Sequence, residues 1–170
     1  MKLEAKHLAP YLPYDLQVEY RGKVTTLDAL DSTGGAFVGG NRMVSFVDQR
    51  HIKPILRPLS SITKEEAYDL LSIAVFGERI DRDDIDNIDL VIENDCNIGV
   101  RGSFKGTLHG NSVFSLYVTY DSIIYTTTDE GIEEPMFTNL SIYEYLFANH
   151  FDVFGLIDKS FLAIDKTTFK

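Results

Sequence analysis

The chain has 170 residues, 44% of them hydrophobic, and a formal net charge of −10 at pH 7. It is long enough to bury one core or two small ones, and its 11 Phe and 9 Tyr argue against disorder. Cys96 is the only cysteine, which excludes an intramolecular disulfide framework and a cysteine zinc site, and no run approaches the roughly 20 apolar residues of a membrane span.

The opening residues, MKLEAKHLAPYLPY, carry charges and prolines where a secretory signal needs an apolar run, so a cytoplasmic protein is expected. Leu3 to Leu12 predicts a short helix or turn, ended by Pro10 and Pro13. From Leu16 the period becomes two: Leu16, Val18 and Tyr20 alternate with Gln17 and Glu19, as in a half-buried strand. Arg21-Gly22 turns the chain into Lys23–Leu30, and Gly39-Gly40-Asn41 separates Ala36–Val38 from Met43–Val47. Short strands this closely spaced, with glycine turns, predict a small SH3-like β-barrel over residues 1–60.

Pro54 and Pro58 remove two amide donors and push their predecessors towards extended conformations. Lys53–Leu59 therefore reads as an edge strand or an extended crossing segment. Thr63 and Glu66 then form a capping box, with Ile62 placed to staple against Ala67. Leu70, Leu71, Ala74 and Val75 follow at helical spacing, and Gly77 supplies a left-handed stop, so the spacing predicts a helix over 64–76.

The next segment, ERIDRDDIDNID, is an acidic turn. An antiparallel meander over 88–128 follows, with turns at Asn94-Asp95, Gly110-Asn111 and Asp121-Ser122. Phe114, Leu116, Val118 and Tyr120 share one face of a strand, and Ile123–Thr128 is β-branched. Asp129–Pro135 reads as an acidic loop. Ser141 and Glu144 predict a second capping box, with Leu140 as its staple and a helix over 142–150. The apolar tail, HFDVFGLIDKSFLAID, predicts a docked segment ending in a strand at Phe161–Ile164. The fold expected is thus β-rich α+β: a barrel-like subdomain at 1–60 and an α+β subdomain at 61–170, either distinct or parts of one compact domain.

Charge divides the chain unevenly. Residues 1–64 hold 9 Lys/Arg and 6 Asp/Glu, a net of +3; residues 65–170 hold 7 and 20, a net of −13. This split predicts two surfaces with different partners, or two halves that attract each other. The basic residues Arg42, Arg50, Lys53 and Arg57, with His51, Phe37 and Phe46 interleaved, are candidates for a nucleic-acid or partner-binding face.

Asp81 and Asp84 are weak metal candidates. A calcium loop starting at either one would place isoleucine (Ile85 or Ile88) at its fifth position and aspartate (Asp86 or Asp89) at its sixth, where an oxygen ligand and a glycine are required. Ser61 and Lys64 make an S-x-x-K, but neither S-D-N nor K-T-G accompanies it. His7, His51, His109 and His150 are scattered without a zinc motif. No phosphate-binding loop or dinucleotide fingerprint occurs, so no cofactor is expected.

Three segments, HLAPYLPYDLQV, IKPILRPLSSITKE and HFDVFGLIDKSFLAID, resemble a group of small proteins encoded by Bacteroides-type gut anaerobes and their phages and prophages. They cover roughly a third of the chain. The family's tail tends to read L-I-x-x-G-L-A-I-D, whereas Ser160-Phe161 stands here in place of the glycine, and residues 78–135 have no counterpart in the resemblance. The resemblance implies a mobile-element accessory protein and brings no catalytic residue with it. Three functions are therefore expected, in this order: a non-enzymatic, protein-binding accessory protein; a nucleic-acid-binding module using the basic half; a metal-assisted hydrolase using the acidic segment 81–89.

Overall fold

A computed structural model describes residues 3–31, 35–40, 42–45, 52–80, 85–94, 97–104, 113–120, 122–129, 132–136, 140–158 and 162–168. The fold is mixed α+β and strand-rich, and it divides into two compact units: Met1–Pro58 with Leu146–Lys170, and Leu59–Tyr145. The tail, expected with the second subdomain, thus belongs to the first unit.

In the first unit α1 (Ala5–Leu8) runs into a 3-10 helix at Ala9–Tyr14. Pro10 and Pro13 do not end the helical segment; both lie within the 3-10 turn. Pro10 stands in its first turn, where no amide donor is needed. Strands β1 (Gln17–Tyr20), β2 (Lys23–Leu30), β3 (Gly35–Val38) and β4 (Arg42–Ser45) form an antiparallel meander, and β5 (Ile52–Leu56) returns to pair with β1. Arg21 and Gly22 take φ of 52° and 76°, the left-handed pair that suits a two-residue hairpin, and the Gly22 amide donates to Glu19 Oε1.

β5 is not an edge. The last strand, β11 (Ile164–Asp165), pairs parallel to Ile55 and Leu56, giving the order β11-β5-β1-β2-β3-β4. β11 stops short of Pro54, leaving that side of the strand open, which suits a residue without an amide donor. The sheet is not closed among the described residues, so the expected barrel appears as an open sheet. The core gathers Leu8, Tyr11, Leu16, Val18, Leu27 and Leu56 together with Leu156 and Ala163 from the tail. The docked tail is therefore part of the core, although its strand begins at Ile164, not at Phe161, which lies outside the described residues.

The second unit opens with a 3-10 turn at Leu59–Ser61 and α2 (Lys64–Phe76). The capping box forms as its spacing requires: Glu66 N–H donates to Thr63 Oγ1 and Thr63 N–H to Glu66 Oε2. Gly77 ends the helix at φ 79°.

Five strands follow: β6 (Ile85–Asn94), β7 (Asn97–Phe104), β8 (Val113–Thr119), β9 (Ile123–Asp129) and β10 (Ile132–Met136), in the order β10-β9-β8-β7-β6. The meander is longer than expected at both ends. Asp86 and Asp89 lie in β6, because Ile88, Leu90 and Ile92 alternate through the acidic run. The segment expected as an acidic loop is largely β10, where an edge position tolerates two glutamates and Pro135.

Helix α3 (Leu140–Ala148) starts two residues earlier than expected. Ser141 lies inside it and is not its cap, and Leu140 is 70% exposed and staples nothing. Its buried stripe is Ile142, Tyr145 and Leu146, and the chain turns off at His150 with φ 58°.

Candidate functional site

The second sheet has two unlike faces, set by its register. Leu90, Val100 and Leu116 stand in one row across β6, β7 and β8, and Ile92, Ile98, Val118 and Ile123 in another that reaches β9. From β7 to β9 these residues are buried, and α2 packs on β6, β7 and β8. At Gly102 of β7 a Cβ would stand 2.8 Å from Leu71 Cδ2 of α2, so the helix rests on bare backbone there.

The opposite face carries Val91, Gly99, Tyr117 and Ile124, directly in register across four strands. Val91, Tyr117 and Ile124 are 54%, 43% and 50% exposed, which makes a continuous apolar row open to solvent. The Tyr117 ring lies over Gly99: a Cβ there would stand 3.3 Å from Tyr117 Cε1. Beside this row runs a polar one, Asp89, Arg101, Ser115 and Thr126. Asp89 and Arg101 are exposed and directly opposed on neighbouring strands, a favourable cross-strand pairing. With Asn87, Gly102, Ser103 and Val113 they line a shallow cleft of about 210 Å³.

Charge follows the units. The second unit holds 5 Lys/Arg and 17 Asp/Glu, a net of −12; the first holds 11 and 9, a net of +2. The apolar row therefore lies on a unit whose net charge gives it a negative potential.

The expected basic residues are not brought together among the described residues: β4 and β5 are separated by β1, β2 and β3. Arg42 lies in β4, and Arg50 and His51 fall outside the described residues. Lys53 is half-buried in β5, opposite Glu19. Arg57 is half-buried and structural: its N–H donates to the His150 carbonyl, its own carbonyl accepts from Asp152 N–H, and its guanidinium lies 4.3 Å from the centre of the Phe151 ring. Two cations read only as turn and strand residues, Arg21 and Lys23, instead line a cleft of about 410 Å³ with Tyr20, Val24, Thr25, Val38 and Gly39. Their signal was Y-R-G-K, a hairpin tip that brings flanking cations to one aromatic residue.

Asp81 and Asp84 lie outside the described residues. Among the described residues no three of His, Cys, Asp or Glu come together in a way that would hold a metal ion.

Sequence reasoning also passed over a buried polar network in the first unit. Tyr11 donates its hydroxyl to the Phe151 carbonyl at 2.6 Å and accepts from Val153 N–H at 3.4 Å. Asp152, fully buried, accepts from Leu156 N–H at 2.9 Å and Ile157 N–H at 2.8 Å. His150 Nε2 meets the Tyr14 carbonyl at 2.7 Å, and His7 Nδ1 accepts from Glu4 N–H at 3.0 Å. Burial pushes the Tyr11 hydroxyl and the Asp152 carboxyl up, the latter against its backbone hydrogen bonds. It pulls both histidines down. Neither described cleft includes any of these groups, and each hydrogen bond named has a backbone partner. The Tyr11 and His150 bonds hold the tail against the N-terminal helical segment.

These shifts set a pH dependence. A histidine held below its ordinary 6.5 in the folded state contributes stability that is complete above 6.5 and lost as pH falls through the folded value. The melting temperature is therefore expected to fall as pH is lowered from 7.5 to about 5, and a His7→Gln/His150→Gln double variant is expected to flatten that fall. Asp152 acts in the opposite sense: its raised value contributes stability that is complete below 3.8 and lost as pH rises through the folded value. Thermal melts across this range check the histidine sign, and melts extended below 3.8 check that of Asp152.

No family model, no curated protein and no solved structure matches the chain.

Proposed function

We propose that this chain is a non-enzymatic, protein-binding accessory protein of the phage or prophage type. The observation that carries the binding reading is the exposed row Val91–Tyr117–Ile124 on the second sheet. A tyrosine between two aliphatic side chains in register has the composition of an interface hot spot. The mobile-element part rests on the resemblance of the three segments named above. Replication, packaging or tail genes beside its own gene would each point to a different partner. For the first unit, we read the order β5-β1-β2-β3-β4 as that of an SH3-like barrel left open.

A photo-crosslinking residue at Ile124 is expected to capture a protein partner in the producing cells, while the same residue at Met43, exposed on the first unit, captures none. Tyr117→Ala is expected to weaken that complex by about 2 kcal/mol, roughly thirtyfold in Kd. Equal capture at both positions, or turnover of a nucleotide or ester substrate that survives serial purification, removes this reading.

The cleft formed by Tyr20, Arg21 and Lys23 favours a second reading, nucleic-acid binding by the first unit. Here two cations stand together at a hairpin tip, the Arg21 guanidinium 5.2 Å from the centre of the buried Tyr20 ring, as a groove that tracks a phosphate backbone requires. The test is an electrophoretic shift that weakens with salt and on Arg21→Ala/Lys23→Ala substitution. No shift at low salt removes it.

A further inference from the structure

Among the described residues, the second sheet ends on a long strand with no outer neighbour. Natural sheets blunt their edges with short strands, proline or lysine. Three of the four described edges here follow that practice: β4 has four residues, β11 has two, and β10 carries Pro135. β6 has ten residues and neither Pro nor Lys. Its register irregularities fall between Ile85 and Asn87 and between Ile92 and Asn94, so Asn87–Ile92 is a regular edge.

The apolar layers also run off this edge incomplete. Ile92 shares a row with Ile98, Val118 and Ile123, which are 2%, 0% and 8% exposed, yet Ile92 itself is 45% exposed. On the other face Val91 is 54% exposed. Adjacent residues of one strand thus lack a neighbour on both faces, as expected where one more strand is missing.

We infer that β6 accepts an extended segment of a basic partner protein as a sixth strand of this sheet. Main-chain hydrogen bonds to the open edge supply affinity, and alternating side chains cover Ile92 and Val91. Charge selects the occupant. β6 carries Asp86, Asp89 and Glu93 and no cation, within a unit of net −12. A second copy of β6 would set carboxylates beside carboxylates, which disfavours pairing between copies. A strand alternating Lys or Arg with Val or Ile meets both requirements. This rests on the protein-binding reading for its class of partner, but it names a different surface from the Tyr117 row.

The test is amide hydrogen exchange on the full chain with three synthetic nine-residue peptides: one alternating Lys and Val, the same peptide with alternate backbone nitrogens methylated, and one alternating Glu and Val. With the Lys/Val peptide at about ten times its Kd, exchange of β6 amides within Asn87–Ile92 is expected to slow about tenfold. The methylated peptide keeps the charge but loses the pairing edge, so it is expected to slow nothing. Equal effects from the methylated peptide, or binding without slowing in β6, overturn strand addition. Binding that perturbs only Tyr117 and Ile124 also overturns it, and leaves the sheet-face reading standing. An equal effect from the Glu/Val peptide overturns the choice of a basic partner, and no binding by any peptide overturns the whole inference.

Discussion

Asp152→Ala is expected to destabilise the first unit by about 3 kcal/mol, because it strands two amide donors at once, one buried and one part-buried. The carboxylate is fully buried, and its two oxygens separately accept from Leu156 and Ile157 N–H. Those bonds shape the turn that delivers Leu156 to the core, where it is fully buried. The Leu156 bond is buried and the Ile157 bond part-buried, so the Leu156 donor carries most of the loss. Asp152→Asn keeps one acceptor and sets its amide group against a donor, so a smaller loss of about 1–2 kcal/mol is expected. Urea unfolding at pH 7 checks the order Ala below Asn below the parent. A loss under 1 kcal/mol for Asp152→Ala would mean that the turn reorganises and finds other acceptors.

Gly102→Ala is expected to destabilise the second unit by about 2 kcal/mol. The added methyl would stand 2.8 Å from Leu71 Cδ2 and 2.8 Å from the backbone oxygen of Asn87. A leucine tip can rotate away, but a ladder carbonyl cannot move without shifting β6 against β7. The strain is steric rather than conformational, so trimming the helix side alone should not cure it. Leu71 is fully buried, so Leu71→Ala costs about 3 kcal/mol by itself through the cavity it leaves. If the Asn87 carbonyl is the obstacle, the double variant Leu71→Ala/Gly102→Ala remains close to the sum of the two losses. Recovery well above that sum would place the clash on the leucine alone. Urea unfolding of the three variants decides between these outcomes.

What could be read in the chain depended on how local its cause was. α2 was legible to the residue because Thr63, Glu66 and Gly77 act within one turn of its ends. α3 was misplaced by two residues at its start because the Ser141–Glu144 spacing imitates a cap that the helix does not use. β10 was hidden because Glu-Glu-Pro has low strand propensity, and only its place at an edge makes it tolerable. The pairing of β11 with β5 joins residues more than a hundred positions apart, which no local pattern reports.

The candidate surface shows the same divide. Phe114, Leu116 and Val118 showed their shared face through alternation. That Val91, Tyr117 and Ile124 stand in one line required the register of three strand pairings. The Arg57 guanidinium looked like a ligand-binding group until its Phe151 partner, brought back by the tail, was in place.

The first unit is built from the two outer stretches of the chain, with all of the second between them. A ribosome therefore delivers residues 59–145 before the ones that finish the first unit. Until Leu156, Ala163 and the Ile164–Asp165 strand emerge, the nascent N-terminal sheet lacks part of its core and the cover on Ile55 and Leu56. The contiguous acidic unit matures first on such a schedule, and the N-terminal segment waits exposed through its whole synthesis. A messenger truncated after residue 145 should yield a product whose acidic unit resists protease while its first 58 residues are digested.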